Sequence, residues 1–261
     1  MAAGLTVREE NIPALRERMA RIFREQCERR GVDFFDNYLL HWLNERNYAQ
    51  AERCGAFSFL SRLKADGRAR KIGFSYHDGA ELLDRILTAH PEMDIVQLQI
   101  NYLDWHSAAL DAEGCYKTAV KHGKEIIVME PVKGGTLAKL PAEGEALLHS
   151  AREKESPARF ALCFAQSLPH VSVVLSGMNA LEQVQENTRD FVPLNESERA
   201  LADRIAGLLR SRVAIPCTGC RYCMPCPKGV DIPGIFYFYN LMYIEKKASA
   251  DVQKDLFEYH R

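Results

Sequence analysis

The sequence has no apolar run of the roughly 18–20 residues that a membrane-spanning helix requires. It also has no excess of charge of either sign. The formal net charge is −1, so no bulk field draws the chain to nucleic acid or to an anionic membrane. The opening residues, Met1 to Asn11, are polar and acidic after a short small-residue start, and they lack the apolar core of a signal peptide. These absences predict a cytoplasmic, thiol-reducing setting in which disulfides are rare. Also missing is a glycine-rich fingerprint between a first strand and its helix, which counts against an open dinucleotide-binding sheet.

What is present is ordinary for a globular chain: 261 residues, 47% hydrophobic and 26% charged, enough for a sizeable core in one large domain or two smaller ones. Apolar residues at helical spacing (Ile12, Leu15, Met19, Ile22, Phe23) predict a helix over residues 8–30, stopped by Gly31. An aromatic-rich stretch from Phe34 to Trp42 then reads as a buried strand. The alternation continues with helices near 57–66, 79–89 and 108–122, one that begins near Ser156-Pro157, and others near 180–187 and 196–209. The strands between them are Lys71–Ser75, Ile95–Ile100, Glu125–Met129 and Val171–Ser176. Short, wholly apolar strands alternating with helices imply an α/β fold with a parallel sheet covered on both faces. Five strands are legible, where a closed (β/α) barrel has eight. An open doubly wound sheet is the alternative.

Four of the eight cysteines are scattered, at 27, 54, 115 and 163; the other four, Cys217, Cys220, Cys223 and Cys226, crowd one short run that ends in Pro227. The scattered ones read as buried free thiols. Thiolates at two-residue gaps, the last followed by proline, suit an iron–sulfur cluster, although the ferredoxin run has three residues in its final gap. Structural zinc, the rival, usually takes two cysteine pairs separated by a longer loop. A second, smaller module therefore begins near residue 211, and its Ile235–Tyr243 segment is aromatic.

Several motifs now carry a resemblance. Tyr38-Leu-Leu-His41-Trp42, Gly67-Arg-Ala-Arg-Lys-Ile-Gly73-Phe-Ser75, Val96-Gln97-Leu-Gln99-Ile-Asn101-Tyr102, Met129-Glu-Pro131-Val-Lys-Gly134-Gly135 and Val173-Val-Leu-Ser176-Gly177-Met-Asn179 follow one another in the order found in aldo-keto reductases. Ile215 to Ile235 resembles the cysteine-rich tail of a ferredoxin-fused branch of that family. The resemblance implies a (β/α)₈ TIM-barrel fold, about five of whose βα units lie in residues 1–210, with a mainly helical iron–sulfur segment over 211–261. It implies hydride transfer between NADPH or NADH and a small carbonyl or alcohol. His41 matches the histidine that polarises the substrate carbonyl, and Ser75 and Gln97 match the residues that hold the nicotinamide carboxamide. Gly177 and Met178 match the adenosine phosphate site, and Glu186 and Asn187 the adenine site. Cys217, Cys220, Cys223 and Cys226 would ligate a 4Fe-4S cluster.

The sequence also departs from that pattern. The strands that bear the family's tyrosine proton donor, with its aspartate and lysine, are absent, so the chain reads as truncated at both ends, and little carbonyl reduction by the chain alone is expected unless another residue substitutes for the tyrosine. Tyr76 stands where asparagine is usual, and Met129 where a tyrosine often stacks on the nicotinamide. No Lys or Arg flanks Gly177 to bind a 2′-phosphate. Two expectations follow. Five strands would leave two open sheet edges, so the chain is expected to be an incomplete gene product or to pair with another chain or copy, with a redox partner protein as a further expected partner. Alternatively, the chain is an iron–sulfur electron-transfer or interaction protein built on a non-catalytic barrel remnant.

Overall fold

The structure, a computed structural model, describes residues 11–107, 110–215, 217 and 223–244. Two compact units divide the chain. One joins Met1–Gln99, Ala112–Val128 and His170–Val173; the other joins Ile100–Asp111, Met129–Pro169 and Val174–Arg261.

Five strands form one sheet: β1 (Phe35–Leu43), β2 (Ala69–Tyr76), β3 (Ile95–Gln99), β4 (Glu125–Met129) and β5 (Val171–Val174). Their order in the sheet is the order in the chain. A doubly wound sheet reverses direction partway across; this one does not, which removes that alternative. β1 and β2 are parallel, as are β2 and β3. The interior strands fit the buried-run reading, with Ile72, Phe74, Val96, Ile126 and Val128 all fully buried.

β1 departs from the expectation of a buried strand. Only Leu40 and Leu43 are buried on it, and His41 and Trp42 are exposed. The reason is position. β1 ends the sheet order, so it gains cover from fewer neighbours than an interior strand. Its aromatics are used locally: Phe35 and Tyr38 pack edge-on against Phe23 of helix α1 (Ile12–Arg30), at 5.8 and 5.0 Å. β5, at the other end, likewise has no buried residue.

Most helices arise where apolar periodicity and stop signals coincide. Gly31 ends α1 in the left-handed conformation (φ 65°), where glycine carries no Cβ penalty. Helix α2 (Glu45–Cys54) is capped by Asn44, whose side chain accepts the amides of Arg46 and Asn47. Helices α3 (Ala56–Ala65), α4 (Ala80–Ala89) and α5 (Ala112–Lys121) complete the first unit. In the second, α6 (Ala142–Ala151) packs with α9 (Glu196–Ser211), and α7 (Pro157–Gln166) with α8 (Leu181–Asn187). Ser156 caps α7 through the Arg159 amide, with Pro157 at the first position, as the Ser-Pro pair predicts. In the tail, helix α10 spans Ile232–Ile244. Among the described residues, no helix is long and apolar enough to cross a membrane.

Candidate active site

In a parallel α/β fold the strand C-termini carry the chemistry. At the end of β1 the pairing slips. Leu40 faces Phe74 and Leu43 faces Tyr76, so three steps on β1 span two on β2. The extra residue makes a β-bulge, a device that re-aims side chains. His41 and Trp42 lie on it, and Trp42 adopts φ 64°, a left-handed conformation that a bulky residue rarely takes.

The surroundings hold that backbone in place. The Trp42 amide donates to the Ser75 hydroxyl at 2.7 Å, and the Trp42 carbonyl accepts the Asn47 side-chain amide. The His77 amide donates to the Leu43 carbonyl at 2.9 Å. Asp78 accepts the Glu45 amide at 2.9 Å, tying the start of α2 to the end of β2. Thus the capping box of α2 and the hydroxyl of Ser75 together fix the bulge.

Ser75 is buried, at 3% exposure, and faces Gln97 in the β2–β3 register. The structure therefore brings Ser75 and Gln97 side by side, with the bulged His41–Trp42 backbone on the next strand. Ser75 accepts from Trp42 and keeps its own proton to donate. The Trp42 indole meets the His77 ring edge-on at 6.4 Å. Desolvation, and then the nearby His41, lower the His77 pKa below the ordinary histidine value, so His77 is neutral near neutral pH. His77 went unnoticed in the sequence, where a histidine after a strand has no distinguishing pattern. Tyr76 is turned inward, buried, with its hydroxyl donating to the Gly79 carbonyl at 2.7 Å.

The other predicted cofactor residues belong to the second unit. Gly177 and Met178 are exposed after β5, and a methyl group added at Gly177 would meet nothing within 4 Å. The Asn187 side-chain amide donates to the Ser176 hydroxyl at 3.1 Å, so the far end of α8 is tied to the loop bearing Gly177. Glu186 lies 3.8 Å from Arg189. Arg159, nearly fully buried, closes the same helix end by donating to the carbonyls of Asn187, Arg189 and Asp190 at 3.3, 3.0 and 2.7 Å.

A buried polar network fixes the turn after β4. Asn101, fully buried, donates to the Glu130 carbonyl (3.1 Å) and to Asp104 (3.0 Å), and Lys133 reaches both oxygens of Asp104 at 2.7 Å. Glu130, Lys133, Gly134 and Gly135 all have positive φ, and the glycine pair makes so tight a turn possible.

The cysteines separate into two environments. Cys27, Cys54, Cys115 and Cys163 are buried, whereas Cys217 and Cys223 are exposed and Cys226 is half-exposed. Cys220 lies outside the described residues. Among the described residues no three His, Cys, Asp or Glu side chains stand together as one metal ion would require. Cys217, Cys223 and Cys226 are thiols outside the core, the donor type that iron–sulfur groups take.

A sequence profile of the aldo/keto reductase family matches residues 8–206. No curated protein sequence matches the chain significantly. Among solved structures, the chain is similar to the holo form of an aldo-keto reductase from Bacillus halodurans. Identity is 20% and the TM-score 0.58, covering 73% of this chain and 65% of that one. It is similar to an aldo/keto reductase from Klebsiella pneumoniae in complex with NADP and acetate (20% identity, TM-score 0.58, 72% and 64% covered). A thermostable aldo-keto reductase bound to the inhibitor epalrestat gives 22% identity and a TM-score of 0.60, with 73% and 66% covered. At such identities what is shared is the fold. The chain spans just under two thirds of the length of each of these structures.

Proposed function

Because the chain belongs to the aldo/keto reductase family, we propose that it acts as an NAD(P)-dependent oxidoreductase on a small carbonyl or alcohol, in a reducing compartment such as the cytoplasm. The observation that carries this reading is that the His41 bulge, Ser75 and Gln97 lie on three consecutive strands, with Ser75 bonded to the bulge and paired with Gln97. A bound nicotinamide supplies or accepts the hydride. Ser75, with a free proton to donate, and Gln97 beside it hold the carboxamide. Gly177 and Met178, open to solvent, receive the adenosine phosphate, and Glu186 and Asn187 the adenine. His41 would donate a hydrogen bond to the carbonyl oxygen, where the π electrons would come to rest as the carbon gained hydride, and the proton that completes the alcohol would be drawn from solvent. The bulge matters because it alters the strand's alternation at His41, which is exposed to solvent.

The reading is tested by following oxidation of NADPH, and separately NADH, with a panel of small aldehydes and ketones. His41→Ala is expected to lower kcat/KM about 100- to 1000-fold, the usual effect of losing one donor to a developing oxyanion. Turnover unchanged by that substitution would remove His41 from the chemistry.

The exposed cysteine run supports a second component: a 4Fe-4S cluster held by Cys217, Cys220, Cys223 and Cys226, which would pass electrons to a redox partner protein. Protein purified without oxygen is expected to hold about four irons with matching sulfide and to absorb near ~400 nm. Stoichiometric zinc without colour would overturn this. Iron uptake with no binding of either nicotinamide nucleotide would instead favour an iron–sulfur electron-transfer or interaction protein on a non-catalytic scaffold.

A further inference from the structure

Two histidines meet at the bulge. His41 lies on it, and His77 follows the last residue of β2. The His77 amide donates to the Leu43 carbonyl at 2.9 Å, which carries the pairing of β2 with β1 one residue past Tyr76. The His77 ring stands edge-on to the Trp42 indole at 6.4 Å. The two imidazoles are near enough that charge on His41 opposes charge on His77. Both residues are exposed. The strand decides which way His77 leans, because successive side chains point to opposite faces. Phe74 and Tyr76 share one face, buried, with their rings 6.2 Å apart and Phe74 6.4 Å from Phe57 of α3. Ser75 takes the other face, where its hydroxyl accepts the Trp42 amide. His77, two residues on, falls on the Ser75 side. It therefore stands beside the groups assigned to the nicotinamide and the carbonyl, all within the first unit.

Neither imidazole is spent on holding the fold. His90 and His122, in the same unit, face the carboxylates of Glu52 and Asp84. Among the described residues, the rings of His41 and His77 make no hydrogen bond or ion pair. The charged and titratable groups around His77 are otherwise engaged. The two oxygens of Asp78 accept the amides of Gly79 and Glu45, each at 2.9 Å. Glu45 lies 3.8 Å from Arg85. The Tyr76 hydroxyl donates to the Gly79 carbonyl, and the Cys115 thiol to the Asp78 carbonyl at 3.3 Å. His41 is left as the titratable neighbour that acts on His77.

We propose that His77 is a further catalytic residue: the acid that delivers the solvent proton to the carbonyl oxygen in reduction, and the base that removes the alcohol proton in oxidation. The inference rests on the oxidoreductase reading above and deepens it. In reduction the carbonyl carbon accepts a hydride from the nicotinamide, and the C=O π pair moves to oxygen. That oxygen then takes a proton from the His77 imidazolium. The ring N–H bond breaks, the ring becomes neutral, and water, which reaches the exposed side chain, returns a proton to it. Oxidation runs the same transfers backwards. His41 keeps its proton throughout and serves as the hydrogen-bond donor. A positioned acid or base of this kind contributes about 100- to 10,000-fold. Desolvation, and then His41, hold the His77 pKa below the ordinary ~6.5. The protonated ring that reduction needs is present below that lowered value and is lost as pH rises through it. The neutral ring that oxidation needs is gained across the same interval.

The test compares the full chain as wild type, His77→Gln and His77→Ala, with NADPH or NADH and the aldehydes and ketones of the same panel. His77→Gln is expected to lower kcat for reduction about 100-fold or more, with the Kd for the nucleotide unchanged. It should also remove the fall of the reduction rate with rising pH. Imidazole added to His77→Ala is expected to restore about tenfold of the lost rate, since a free acid can stand in for the missing ring. A second readout needs neither substrate nor nucleotide. The His77 ring proton, followed by nuclear magnetic resonance, is expected to titrate at higher pH in His41→Gln, where the neighbouring charge is gone. A His77→Gln kcat within about threefold of wild type, or an unchanged pH profile, would overturn the proton role. A His77 titration that does not move in His41→Gln would overturn the sharing of one site by the two rings. Wild type that turns over neither nucleotide with any member of the panel would overturn the oxidoreductase reading and the role of His77 with it; wild-type turnover distinguishes the two failures.

Discussion

Gly73→Ala is expected to cost more than about 4 kcal/mol, at the far end of the range for single substitutions, and to leave little folded protein. Gly73 lies in the middle of β2, paired with Ile95 of β3. A Cβ built there would fall 2.0 Å from the Ile95 carbonyl oxygen and 2.8 Å from its carbon. The obstruction is backbone, so no side-chain rotation relieves it. β2 and β3 would have to separate, and Ser75 and Gln97 are paired two residues further on. Gly207→Ala is the matched control. Gly207 lies within α9, with nothing within 4 Å of an added methyl, and alanine in a helix interior gains about 0.5–1 kcal/mol over glycine. Urea unfolding followed by circular dichroism should move the two variants in opposite directions. Gly73→Ala within about 1 kcal/mol of wild type would show that the strands do not approach this closely.

Arg152→Ala is expected to destabilise the second unit by about 3–5 kcal/mol, the usual cost of stranding one partner of a buried ion pair. The Arg152 guanidinium reaches both Glu198 oxygens, at 2.6 and 3.0 Å, and Glu155 at 3.2 Å. The side chains of Arg152 and Glu198 are only 10% and 12% exposed. Glu198 also closes the capping box of α9 by accepting the Asn195 amide at 2.9 Å. The hydrogen bond from Arg152, with help from Asn195, holds the Glu198 carboxyl below its ordinary value. A depressed carboxylate contributes its full stability above the unfolded-state pKa, near ~4.3 for glutamate, and loses it as pH falls through the folded value. Wild type should therefore weaken on acidification below about pH 4.3. In Arg152→Ala, burial without a cation favours the protonated carboxyl, so the gap between the two proteins should narrow from pH 7 toward pH 4. A gap independent of pH would place the effect of Arg152 in packing rather than in charge.

The strands were legible because each is a short, largely apolar run with a glycine or proline shortly before it, and all five appear within two residues of their predicted ends. The helices were less so. α2 was missed because Glu45–Cys54 has few apolar residues, and its cap, Asn44, announces itself only when the Arg46 and Asn47 amides are seen to reach it. α6 was missed because Gly144 and flanking small residues blur its period. β1 looked buried because its composition is apolar, whereas burial depends on what lies alongside, and an end strand has less alongside it. In the candidate site, family likeness pointed to His41, Ser75 and Gln97, but not to the left-handed Trp42 that joins the first two. No residue type announces that conformation in a tryptophan. The Asn101–Asp104–Lys133 network and the pairing of Asn240 with the Ile215 backbone are equally silent in sequence, since each joins residues more than twenty apart.

The strand order carries a consequence for how the molecule comes into being. Every strand pairs with the one synthesised immediately before it. A nascent chain leaving the ribosome can therefore lay down its sheet from one side, β2 on β1, then β3 on β2, with each α-helical crossover complete before the next strand emerges. Among the described strands, each pairing joins neighbours in the chain, so only the outer edge of β1 and the leading edge of the growing sheet are unpaired at any stage. That is the ordering in which a parallel sheet, slow to form because its pairings are non-local, spends least time exposed to aggregation.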